Sequence, residues 1–224
     1  MKPAMQRHIK WPCRFYYSLL IGVIISTAST VCLSQTKTTQ ITIQNANSLE
    51  GERINGVDVK KLIGNVILEH EGALMYCDSA IYNSIDNSAD CYGNVRITKG
   101  DSLKMQGNYL QYDGNNRTAR LVKDVNLTDS KMVLVTDTLY YDRVKEIASY
   151  TTNARITDKE NVLTSKRGYY YTKEKLIYFR NDVKLDNAKY YLVCDTLKYS
   201  TASKIAFFLG PSTINSKGND STVI

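Results

Sequence analysis

From residue 57 onward, apolar and polar residues alternate with a period of two, and the alternating segments themselves recur. Gly64-Asn65-Val66-Ile67-Leu68 is followed by Gly93-Asn94-Val95-Arg96-Ile97, Lys123-Asp124-Val125-Asn126-Leu127, Thr152-Asn153-Ala154-Arg155-Ile156 and Asn181-Asp182-Val183-Lys184-Leu185. Each segment sets two aliphatic residues on one face around a residue that is mostly polar, the pattern of a half-buried strand. The central positions 66, 95, 125, 154 and 183 are 29 or 30 residues apart. A second landmark keeps the same step. Asp78-Ser79-Ala80-Ile81-Tyr82 returns as Asn108-Tyr109-Leu110-Gln111-Tyr112, Asp137-Thr138-Leu139-Tyr140-Tyr141, Arg167-Gly168-Tyr169-Tyr170-Tyr171 and Asp195-Thr196-Leu197-Lys198-Tyr199. A third apolar pair leads into each first landmark: Ala89/Cys91, Ala119/Leu121, Ala148/Tyr150, Ile177/Phe179 and Ala206/Phe208. Landmarks in phase over five copies predict an all-β repeat protein.

The Gly-Asn or Lys-Asp step before each valine predicts a bend or bulge that folds the strand over. Turn formers such as Asp86-Asn87 and Asp113-Gly114-Asn115-Asn116 separate the strands. One copy, about two long bent strands, cannot bury its own apolar face, so copies must stack and the end ones stay open. Taking one strand spacing per copy, five copies rise by roughly 25 Å. Residues 36–62 read as a partial leading rung and 212–224 as a polar tail without a landmark.

The N-terminus differs. Residues 1–34 hold Lys2, Arg7, Lys10 and Arg14 and no acid, then the uncharged run from Phe15 to Leu33. They supply +4 of the +7 net charge, so the remainder is close to balanced and lacks the basic surplus of a nucleic-acid binder. The segment reads as an export leader cut near Gln35. Its apolar run is also about the roughly 20 residues of a membrane span, and an uncleaved anchor remains the other reading. Of five cysteines, Cys77, Cys91 and Cys194 lie beyond it. They have no metal-ligand spacing and read as small buried apolar residues, although Cys77 and Cys91 could pair if their strands are neighbours.

No enzyme site can be assembled: His70 is the one histidine after the leader, and no phosphate or dinucleotide fingerprint is present. No cofactor or metal is expected. Asp78, Asp137 and Asp195 recur two rungs apart in each case and read as turn-facing repeat positions rather than calcium ligands. Arg96, Arg155 and Lys184 read as a solvated outer face.

The run from Val59 and Leu62 through Gly64-Asn65-Val66 to Cys77-Asp78-Ser79-Ala80 and Tyr82, with Gly-Asn-Val returning at 93–95, resembles the OstA-like family. Its members include periplasmic lipopolysaccharide-transport (LptA-like) proteins. The resemblance covers about residues 45–210. It implies an open V-shaped β-jellyroll across residues 35–211, with an apolar interior that carries the acyl chains of lipopolysaccharide. It also implies stacking with other OstA-like jellyrolls through edge strands. On that reading the groove is lined by Val66, Leu68, Val95, Ile97, Leu110, Val125, Leu127, Leu139, Ile156, Val183, Leu185 and Leu197. Tyr82, Tyr112, Tyr141, Tyr171 and Tyr199 stand at its mouth. A membrane-anchored relay component of the same fold, and a structural β-repeat protein with a filled core, are the alternatives. The fourth copy departs from the pattern, with Arg167-Gly168 where the others have Asp or Asn.

Overall fold

The computed structural model describes residues 39–100, 103–128 and 132–218, with no helix among them; the leader assigned to residues 1–34 lies outside the described residues. Strands β1 (Thr42–Asn45) and β2 (Ser48–Ile54) come first. The long strands β3 (Val57–His70), β4 (Ala73–Asn83), β5 (Ser88–Lys99), β6 (Leu103–Asp113), β7 (Thr118–Thr128) and β8 (Val133–Asp142) follow. β9 (Ile147–Tyr150) and β10 (Ala154–Thr157) are two parts of one interrupted strand, as are β11 (Asn161–Ser165) and β12 (Arg167–Tyr171). β13 (Leu176–Asn187), β14 (Tyr190–Ser200) and β15 (Ala206–Ser216) close the series. With β1 and β2 likewise taken as two parts of one position, each position pairs antiparallel with the next in chain order, giving one continuous meander.

The meander becomes a V because β3, β5, β7 and β13 bend at mid-length. Pairing slips between Ile63 and Val66, Tyr92 and Val95, Val122 and Val125, and Arg180 and Val183. The residues at these slips are the Gly-Asn, Lys-Asp and Asn-Asp steps of the repeat, and all eight have φ between 45° and 75°. Two successive left-handed residues turn the chain sharply, and Gly and Asn tolerate that region best. The apolar face of a strand's first half is thereby set opposite that of its second half. In the fourth copy Thr152-Asn153 lacks this geometry, and the strand breaks between Tyr150 and Ala154 instead.

Polar side chains on adjacent strands brace the bends. Asn94 Nδ2 donates to Asp78 Oδ2 (2.8 Å), Asn108 Nδ2 donates to Asp124 Oδ2 (2.9 Å), and Lys166 pairs with Asp182. Asp78 is thus a bracing acceptor. Among the described residues no three His, Cys, Asp or Glu side chains gather as a metal site requires.

Two half-sheets result. One runs through β2, β9 and β12 and ends in a row of turns whose last residues, Asn87, Arg117, Glu146, Lys175 and Lys204, all have positive φ. These turns are hydrogen-bonded to one another: Gly114 N to Asn87 O, Arg143 N to Arg117 O, Thr172 N to Glu146 O and Thr201 N to Lys175 O, at 2.8–3.1 Å. The other half-sheet runs through β1, β10 and β11 and turns at Glu71-Gly72, 158–160 and 188–189. The fold is therefore an all-β, V-shaped jellyroll with two lips.

Two expectations about extent change. Each copy contributes two hydrogen-bonded strands, so the stack holds twelve strand positions and rises by about 50 Å, twice the height reached by counting one spacing per copy. The last strand also runs on to Ser216, into the stretch read as a polar tail.

A Cβ placed on Gly93 would collide with the Asp78 side chain, at a residue with φ of 73°. Gly93→Val is expected to lower unfolding free energy by about 2–3 kcal/mol in urea titration. Gly51→Ala, where nothing lies within 4 Å, is expected to stay within about 0.5 kcal/mol of the parent.

Candidate functional site: the trough between the half-sheets

The twelve aliphatic positions singled out by the alternation all face the interior of the V. Ten are buried, and Leu127 and Leu185 are half-buried and packed against the others. Cys77, Cys91 and Cys194 are buried among them as free thiols. The hydrogen bond with the neighbouring Cys77, and then burial, hold the Cys91 thiol well above its ordinary pKa. Arg96 lies outside, its guanidinium 5.4 Å from the Tyr76 ring centre, and Arg155 and Lys184 are exposed on the same face.

The tyrosine ladder needs two corrections. Tyr141, Ala148, Tyr170, Ile177 and Tyr199 are successive cross-strand partners, and this row faces the trough. Tyr171 instead pairs with Ile147 and Leu176 and meets the outward-facing Tyr178 edge-on, with ring centres 5.8 Å apart. The interior position of the fourth copy is therefore Tyr170, which makes the spacing more even, at 82, 112, 141, 170 and 199. Three adjacent tyrosines hid this in the sequence. The mouth assignment also fails for Tyr82 and Tyr112, which are buried with their hydroxyls bonded inside the protein, to Ile41 O (3.0 Å) and His70 Nδ1 (2.7 Å).

The same one-residue shift puts Gly168 where the first copy has Ala80 and the remaining three have Leu110, Leu139 and Leu197. Tyr150 fills that space: a Cβ on Gly168 would run into its ring. The Tyr150 hydroxyl bonds Ser165 Oγ at 2.6 Å, and burial pushes its pKa up to about 12. Around this pair the half-sheets do not fill the space between them. A cavity of about 130 Å³ opens there, with Leu127, Leu134 and Ile156 on one wall and Leu139, Ile177 and Phe179 on the other. Its lining is nearly all apolar. A dry apolar cavity of about 150 Å³ takes up a benzene ring, so this one admits a short length of hydrocarbon without rearrangement. The copy that departs from the pattern is the one where the trough is open.

Nearer the N-terminus the lips are tied together. Glu71, on the β3–β4 turn of one lip, receives Arg117 Nε at 3.0 and 3.1 Å and Arg117 Nη2 at 2.8 Å from the other. Arg143 Nη2, one turn further along, lies 3.1 Å from the same carboxylate. A strap at residues 39–41 passes between the lips. Thr39 Oγ1 donates to Glu71 (3.0 Å), His70 Nε2 lies 2.8 Å from Thr39 O, and Asn87 Oδ1 accepts from Ile41 N (2.8 Å) while its Nδ2 donates to Thr39 O (3.0 Å). Nothing in the repeat pattern marks His70, Glu71, Arg117 or Arg143, because each occurs in a single copy. The uniqueness of His70 was the available signal.

The bidentate contact with Arg117, helped by Thr39 and Arg143, holds the Glu71 carboxyl at about 2. Folding thus favours the charged form, and its stabilisation is complete above the free value of 4.5 and lost as pH falls toward 2. Wild type is expected to exceed Glu71→Gln in stability by a constant amount above about pH 5, the gap closing on acidification; denaturant titrations across pH measure it. Gly168→Leu is expected to destabilise by about 1–3 kcal/mol through overpacking. Adding Tyr150→Ala is expected to cost less than the two changes summed, and a double-mutant cycle reads that coupling.

With the geometry established, three comparisons place the chain. The family model of the OstA-like proteins matches residues 38–195. A solved structure, described as LptH, the LptA homologous periplasmic component of the conserved lipopolysaccharide transport device from Pseudomonas aeruginosa, is 15% identical. It aligns with a TM-score of 0.44 over 49% of this chain and 82% of that one. No curated protein matches. Since the family match takes in well over half of its residues, the chain belongs to the OstA-like family.

Proposed function

We propose that this protein binds lipopolysaccharide in the periplasm and carries its acyl chains between the half-sheets during outer-membrane assembly. The observation that carries this reading is the apolar cavity between the half-sheets, at the copy where glycine replaces leucine. Hydrocarbon entering it leaves water, worth about 0.8 kcal/mol per buried methylene. The lips join through hydrogen bonds and ion pairs, not through a closed barrel, so they can separate to admit longer chains. No chemistry is required of such a carrier, and it acts as a binding protein rather than an enzyme.

The two ends of the stack fit the same role. Among the described residues β15 pairs only with β14, and β2 only with β3. Leu49 at one end and Phe207, Phe208 and Leu209 at the other are 38–54% exposed. Unpaired edges of this kind accept a further strand, and other OstA-like jellyrolls, this chain included, are the partners we assign to them. Residues 1–34 serve as the export leader ahead of a domain beginning near residue 35.

A photoreactive residue at Leu139 is expected to crosslink to lipopolysaccharide in cells, and one at the adjacent, outward-facing Tyr140 is not. Equal labelling at both positions, or none at Leu139, would contradict acyl binding between the half-sheets.

A further inference from the structure

We infer that Arg117 and Arg143 form a binding site for a phosphate group, which Glu71 occupies while the trough is unloaded. This deepens the proposed function and rests on it for the identity of the ligand. The two guanidinium groups come from successive turns of one lip and converge on a single carboxylate from the other lip. Their side chains are 23% and 16% exposed, so the charges are largely withdrawn from water. Two arginines against one carboxylate leave a net positive charge in the cluster.

The donors also outnumber what Glu71 can accept. Arg143 Nη1 is buried and has no hydrogen-bond partner of good geometry; the Tyr112 hydroxyl, Arg143's polar neighbour, is already engaged with His70 Nδ1. A buried guanidinium nitrogen without an acceptor is costly, and natural structures rarely keep one without a use. A carboxylate presents two oxygens in a plane, and Arg117 takes both in fork geometry. A phosphate monoester presents three oxygens on a tetrahedron, enough for the Arg117 fork and both terminal nitrogens of Arg143. Arginine is suited to such multidentate contact. Thr39 Oγ1, now donating to Glu71, adds a hydroxyl donor.

The place of the cluster fits an amphiphile. Arg143 opens the turn between β8 and β9, and Tyr141 and Ala148, at the ends of those two strands, line the apolar cavity. A ligand with its hydrocarbon in the cavity would carry its polar head past this turn. A phosphate arriving there displaces Glu71, and because Glu71 also holds the lips together, headgroup binding and opening of the trough become one event.

The test uses the full exported chain and three probes: inorganic phosphate, a bisphosphorylated hexaacyl glucosamine disaccharide, and the same glycolipid with its phosphates removed. Inorganic phosphate, against chloride at equal ionic strength, is expected to raise the melting temperature of wild type and Glu71→Gln but not of Arg117→Ala/Arg143→Ala. The double variant is expected to bind the bisphosphorylated glycolipid roughly tenfold more weakly and the dephosphorylated one unchanged. Glu71→Gln is expected to bind the phosphorylated form more tightly than wild type, having lost the competing carboxylate. Arg143→Lys, which keeps the charge without the fork, provides a second reading should the double variant not fold, and is expected to weaken only phosphorylated binding. Equal affinity of wild type and arginine variants for both glycolipids, without a phosphate effect on melting, overturns the anion site and leaves the trough reading standing. A phosphate effect without binding of either glycolipid keeps the site, assigns it to free phosphate, and overturns the trough reading.

Discussion

The structure depends on two consecutive left-handed residues in the middle of a strand. Without them the alternating sequence would form a flat meander with one greasy face. With them the meander closes on itself, and one apolar face becomes two walls. The cost of positive φ is lowest at Gly, modest at Asn and Asp, and highest at Lys123. Braces such as Asn108 to Asp124 and Lys166 to Asp182 hold the turned backbone where the residue type alone would not.

Because every wall position comes from a repeat, the trough would be filled uniformly if the repeat were perfect. It is filled where the copies are regular: Leu62, Val66, Leu68 and Leu110 are at most 1% exposed. It is open where the fourth copy fails in two ways, through a broken bend at 151–153 and a glycine in a leucine position. The same irregularity that weakens the sequence signal borders the space. At the lip, the turn ladder is regular backbone bonding, while the latch from Glu71 to Arg117 and Arg143 is unique to one level. Regular features build the container and irregular ones decide where it opens.

Much of this was legible in the sequence. The period of two gave the inward face, and the Gly-Asn steps gave the bends. The step of 29 or 30 gave the stacking. Register within the fourth copy was not legible, because Tyr169, Tyr170 and Tyr171 satisfy the alternation in either phase, and only pairing with Ala148 and Ile177 selects Tyr170. The stack height was misjudged because a repeat of two strands rises by two spacings. The latch was hidden for a different reason: it joins residues 46 and 72 positions apart through side chains that occur once, and periodicity reports only what recurs.

The central claim is that hydrocarbon lies between the two half-sheets. Nuclear Overhauser contacts between glycolipid methylene protons and isotope-labelled methyl groups of the protein test it most directly. The account predicts contacts to Leu127, Leu139, Ile156 and Ile177, and none to the outward-facing Ile81. Contacts confined to Leu49 and Leu209 at the ends of the stack, with the four interior methyl groups unaffected, would contradict it.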